Sequence, residues 1–182
     1  MTTRLGGEST GGRSERFPGL GIGTILPQVS ANLLAGLMET VAAPPYGGRA
    51  DLPVIASTLR MEVDDLFPVA ETLQMFRLAE IEAGDICLTE DGTQFATAVT
   101  DERKRLFAQH LLTYVPLAAH IRRVLDDRAS HRAPKSRFLT ELEDYMTADS
   151  AEQTLRAVIR WGRYAEVFAY DDHTATFSLE NP

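Results

Sequence analysis

A metal centre or an acid–base pair in this 182-residue chain would have to come from four histidines, one cysteine and the carboxylates. His110, His120, His131 and His173 fall on different predicted elements, without the spacing that a zinc or iron site needs. Cys87 sits in an alternating, strand-like run, which points to a buried structural thiol rather than a nucleophile, and a single cysteine excludes an internal disulfide. Asp171 and Asp172 are neighbours in a predicted turn, where adjacent carboxylates splay apart and cap backbone N–H groups. There is no Gly-x-Ser-x-Gly elbow. Gly19-Leu20-Gly21-Ile22-Gly23-Thr24 lacks the lysine of a phosphate-binding loop and the spacing of a dinucleotide fingerprint, so it reads as linker. The sequence therefore offers no catalytic, cofactor-binding or metal-binding set, and the expectation is a protein that is not an enzyme.

What remains is recognition chemistry. Net charge is -8, unevenly spread: residues 1–48 balance, 49–92 carry -7, 101–137 carry +5 and 138–182 carry -6. Acidic stretches disfavour polyanions, whereas the basic middle, centred on Arg103, Lys104 and Arg105, suits an acidic partner or lipid headgroups as well as plain solvent. Arg156, Arg160 and Arg163 share a predicted helix and could touch phosphate, but Asp149, Glu152, Glu166, Asp171 and Asp172 surround them. Trp161 and Tyr170 flank an apolar strand and read as anchors of the core or of a hairpin.

The elements that must position these groups follow from periodicity and caps. Residues 1–25 hold much of the glycine and read as a flexible leader. Ser30 caps a helix with Leu33, Leu34, Leu37, Met38 and Val41 on one face; it stops before Pro44-Pro45, and a loop follows. Asp51 caps a second helix that tolerates Pro53 in its first turn, and a third begins near Asp64 or Asp65 with Leu66, Val69, Ala70, Leu73 and Phe76 inward. Leu78–Glu82 and Ile86–Leu88 flank a tight turn as a hairpin. Thr89 caps the next helix, which restarts after Thr100-Asp101. Pro116, Ser136 and an Asp149/Glu152 capping box then open three more helices. The last delivers Trp161-Gly162-Arg163 into strands Tyr164–Ala169 and Thr176–Leu179. Met75 to Ile81 echoes Trp161 to Val167, which suggests an internal repeat. The expected fold is mainly α with small β-hairpin wings (α+β): two winged-helix-like halves, 26–99 and 115–182, joined by a helical connector over 100–114.

Several blocks resemble one family in the right order: Gly48-Arg49-Ala50-Asp51-Leu52, Glu62-Val63-Asp64-Asp65-Leu66, Glu80 with Gly84-Asp85 and Leu88-Thr89, Glu102-Arg103-Lys104-Arg105, and Trp161 to Glu166 with Phe168 to Asp171. Together they resemble the AAA-associated C-terminal domain, found after the ATPase domain in ATP-binding subunits of nitrate, sulfonate, taurine and bicarbonate type ABC transporters. The resemblance covers roughly residues 26–180. This chain carries no P-loop, Walker B strand or ABC signature, so ATP hydrolysis by that mechanism would belong to a separate or missing domain.

The resemblance implies a non-catalytic regulatory or interaction domain of a bacterial anion-import ABC system. It would be cytoplasmic, peripheral at the inner face of the plasma membrane only through a transporter, and would dock onto an ATP-binding subunit or its own twin. Its candidate contact residues are Arg103, Lys104, Arg105, Trp161, Arg163, Tyr170, Asp171, Asp172 and His173. No cofactor is expected. The rivals are a winged-helix DNA-binding transcription regulator, which the acidic third helix disfavours, and a small-ligand sensor with a cleft between the halves.

Overall fold

The computed structural model describes residues 21–179; residues 1–20, most of the expected leader, lie outside the described residues. The chain is mainly helical, with two small three-stranded antiparallel sheets. Its first set of elements is α1 (Ala31–Ala42), β1 (Arg49–Asp51), α2 (Leu52–Leu59), α3 (Val63–Met75), β2 (Ala79–Glu82) and β3 (Asp85–Leu88). Two helices follow, α4 (Glu90–Thr97) and α5 (Thr100–Tyr114). A second set repeats the first in order: α6 (Pro116–Asp127), β4 (Arg132–Pro134), α7 (Lys135–Glu143), α8 (Ala148–Ala165), β5 (Ala169–Asp171) and β6 (Thr176–Ser178). The sheets also match, β1-β3-β2 and β4-β6-β5.

Local chemistry explains several helix starts. The Ser30 hydroxyl accepts from Leu33 N–H, the Asp51 carboxylate from Val54 N–H and the Thr89 hydroxyl from Gly92 N–H, each supplying an acceptor to an otherwise orphaned donor. α3 starts at Val63 with no side-chain cap; Asp64 and Asp65 in its first turn face the positive end of the helix dipole instead.

Four sequence expectations need correction. The α8 cap is Thr147, which accepts from Ser150 N–H, and the expected Asp149/Glu152 box does not form because Glu152 pairs with Lys135 at 2.6 Å and Asp149 accepts from Gln153. Ser136 does not cap α7: that helix leaves β4 directly, and Lys135 N–H donates to Ala175 O. Tyr164 and Ala165 are helical, not strand. The buried stripe Leu155, Val158, Trp161, Gly162 and Ala165 keeps helical spacing to the end, and Glu166 then turns the chain with a left-handed φ of 57°. Finally, β1, expected as loop, and β4, for which no element was expected, are strands pairing with β3 and β6.

The internal repeat is real in topology but not in the register of its sequence echo. Arg77 occupies the left-handed position after α3 (φ 60°), whereas its echo Arg163 is still inside α8 and Glu166 holds the corresponding left-handed position. The better match is Arg49-Ala50-Asp51 with Arg132-Ala133-Pro134, each an exposed-buried-exposed strand entering a helix.

One continuous core joins both sets. Phe107 on α5 lies between Phe76 at the end of α3 (centroids 5.0 Å) and Tyr164 on α8 (4.9 Å), and Trp161 meets the Phe76 ring edge-on at 5.2 Å. The segment before α1 is pinned to α8: Leu26 N–H donates to the Thr154 hydroxyl, Gln28 to Gln153 O, and Trp161 Nε1 to Val29 O. No described helix is long and apolar enough to cross a membrane.

Candidate interaction surfaces

The basic block on α5 is largely committed inside the molecule. Arg103 bonds the Glu39 carboxylate on α1 and donates to Ala96 O at 2.7 Å, with its guanidinium over the Phe95 ring. Lys104 reaches the other way, to Glu166 beyond α8 at 2.7 Å, and that hydrogen bond holds its ammonium above the ordinary lysine range. The two cations thus strap α5 to the first and the second set of elements. Arg105 is exposed and has no ion-pair partner among the described residues. Behind them His110 is buried, with Nδ1 2.6 Å from Phe76 O and Nε2 3.1 Å from the Asp91 carboxylate, so its ring joins α5 to the end of α3 and to α4.

The residues expected at the second hairpin do gather. The Arg163 guanidinium donates to Tyr170 O at 2.6 Å and to Asp172 at 2.7 Å and lies over the Tyr170 ring, so these three residues form one cluster. Asp171 accepts from the His173 and Thr174 backbone N–H groups; those bonds hold its carboxyl below the usual aspartate range. It caps the turn, as adjacent turn carboxylates are expected to. Trp161 does not belong to any surface. It is fully buried, and its indole N–H is spent on Val29 O, so its place among the contact candidates is corrected to that of a core anchor.

Cys87 is half-buried rather than buried, on β3 beside Glu82. Desolvation, with Glu82 and Asp85 nearby, pushes its thiol up despite Arg49, the wrong direction for a nucleophile. Of the other histidines, His120 pairs with Glu141 at 2.6 Å and His131 Nδ1 meets Leu125 O; both are structural contacts.

The exposed faces of α3 and α8, which occupy equivalent places in the two sets, have opposite charge. On α8, Arg156 and Arg160 are exposed and unpaired among the described residues, while Arg163 is held by Asp172. On α3 the exposed residues are Val63, Asp64, Asp65, Phe67 and Glu71, with Glu62 just ahead and no cation before Arg77. Val63 and Phe67 are about two-fifths exposed, and Ile25, on the adjoining segment, is 59% exposed. A groove of about 370 Å³ runs between Ile25, Leu26 and Pro27 on one side and Pro68, Glu71, Thr72 and Met75 on the other. Sequence reasoning named none of these apolar residues as a surface. The available signal was position: Val63 and Phe67 fall off the inward stripe of Leu66, Val69, Ala70 and Leu73.

With that geometry in view, the profile of one protein family, described as the C-terminal AAA-associated domain, matches residues 53–171. The match runs from the start of α2 through β5 and so takes in α3, the basic block of α5, α8 and, of the Arg163 cluster, Arg163 and Tyr170. No curated protein and no solved structure matches the chain. A profile that spans well over half of the residues, in a chain whose motif blocks sit at ordered places in one core, settles the assignment: this chain belongs to the C-terminal AAA-associated domain family.

Proposed function

We propose that the protein is a non-catalytic interaction domain that acts on an AAA- or ABC-type ATPase by docking to it, in the setting of a bacterial anion-import ABC transporter. Family membership supports association with such an ATPase. The observation that carries the choice of protein over nucleic acid is the outer face of α3. We read each six-element set as a winged-helix unit, in which the third helix is the one offered to a ligand. Here that helix presents Asp64, Asp65 and Glu71 beside Val63 and Phe67, a face that repels phosphate and suits a protein surface. Arg103 and Lys104, two cations of the basic block on α5, are engaged with Glu39 and Glu166 and add nothing to a phosphate track.

The test is capture from cells under mild salt, with ATP-binding subunits and DNA both scored. Recovery of an ATP-binding subunit supports the reading. Recovery of specific DNA without one, lost in R156E/R160E, overturns it in favour of a transcription regulator reading through α8.

A further inference from the structure

The apolar groove beside α3 narrows the partner's chemistry. Val63 and Phe67 are one helical turn apart, and Glu71 follows one turn later, so they form a row along α3. Pro68 and Met75 lie beside that row and line the groove with Ile25 and Pro27. A helix of 13 residues makes this face about 20 Å long. Its carboxylates are free to act: Glu62, Asp64, Asp65 and Glu71 have no ion-pair partner among the described residues, whereas Glu39, Glu166 and Asp172 elsewhere are all engaged. Pro68 inside the helix adds an acceptor, because it has no N–H to give to the carbonyl of Asp64.

From this we infer that the α3 face and its groove dock a helix of a partner protein that carries basic residues beside an apolar stripe. The apolar stripe covers Phe67 and Ile25 and fills the groove, and the basic residues pair with Asp64 and Glu71. The α8 face of a second copy fits less well, because its free cations Arg156 and Arg160 stand with Asp149, Gln153 and Arg163 and with no large exposed apolar residue to enter the groove. A polyanion or an anionic lipid surface is repelled by the carboxylates. The inference rests on the docking reading above and names the surface that performs it.

The experiment uses the purified chain and a dye-labelled helical peptide of about 18 residues, built from leucine and lysine at amphipathic spacing, with a leucine–glutamate peptide of the same spacing as its counterpart. Fluorescence anisotropy should show saturable one-to-one binding of the basic peptide only. F67S and E71K should each weaken it at least about tenfold, and E143K, which makes the same charge change at an exposed site on α7, less than about threefold. Far-ultraviolet circular dichroism and Trp161 emission confirm that each variant is folded. Absence of binding, equal loss in E143K and E71K, or no loss in F67S would overturn the inference. So would concentration-dependent dimerisation abolished by F67S, which assigns the face to a second copy. The two levels separate cleanly. If F67S loses the peptide but still captures an ATP-binding subunit, the docking function stands and α3 is not its surface; if the wild type binds the peptide through α3 but captures no subunit, the surface stands and the ATPase partner fails.

Discussion

Gly162 in α8 gives two physical effects of opposite sign at one atom. A Cβ built there would lie 2.2, 2.4 and 2.7 Å from Cζ, Cε2 and Cε1 of Phe168, where ordinary carbon contacts are about 3.5–4.0 Å. The ring would have to retreat by more than about 1 Å. It has nowhere open to go: Phe168 is 2% exposed and meets Phe177 edge-on at 5.4 Å. Replacing glycine by alanine inside a helix gains about 1 kcal/mol of propensity, and overpacking a closed core costs about 1–3 kcal/mol. G162A is therefore expected to destabilise by up to about 2 kcal/mol, lowering Tm by a few degrees for a chain of this size. The decisive background is F168L, which lacks all three clashing ring atoms. There G162A should reverse sign and stabilise by up to about 1 kcal/mol. Urea titration followed by Trp161, the single tryptophan, reads both, because that indole is buried in the joint core. The same sign in both backgrounds would refute the packing argument.

G92A is the harsher relative, since its Cβ would fall 1.9 Å from the backbone carbonyl oxygen of Leu78, which no rotamer change can relieve; circular dichroism melting should show a drop larger than that of G162A. R103A removes a half-buried guanidinium that holds Glu39 and Ala96 O, and should cost about 1–3 kcal/mol in urea titration, whereas K104A, on an exposed pair, should move the midpoint less. At the second hairpin, the folded state depresses the pKa of Asp171, so its contribution is present above the unfolded aspartate value and is lost as pH falls through the lower folded one. Relative to the intrinsic exchange rate at each pH, the protection of the His173 and Thr174 amides should therefore fall as the pH is lowered below about 4, and D171A should remove that change in protection.

The sequence made the helices legible because their signals are local. Ser30, Asp51 and Thr89 each carry a cap and an inward stripe within a few residues. The three-residue strands β1 and β4 were not legible: a segment of that length shows no period, and only pairing with β3 and β6 defines it. The end of α8 misled for a related reason. Tyr164 to Ala169 alternates in a strand-like way, but burial of Trp161, Gly162 and Ala165 against the core keeps Tyr164 and Ala165 helical. Charge blocks were visible and their use was not, since Glu39 and Glu166 stand 64 and 62 residues from the cations they bind. The acidity of α3 was readable from sequence, but the exposure of Phe67 and Ile25 and the groove between Ile25–Pro27 and α3 depend on how the segment before α1 lies against the helix.

The central claim, that this domain works by protein docking, is tested most directly by expressing the tagged chain in its native cell, capturing it under mild salt and identifying what accompanies it, with E71K carried in parallel. The account predicts an ATP-binding subunit in the wild-type capture and its loss with E71K. Specific DNA in place of that subunit, unaffected by E71K, would contradict it.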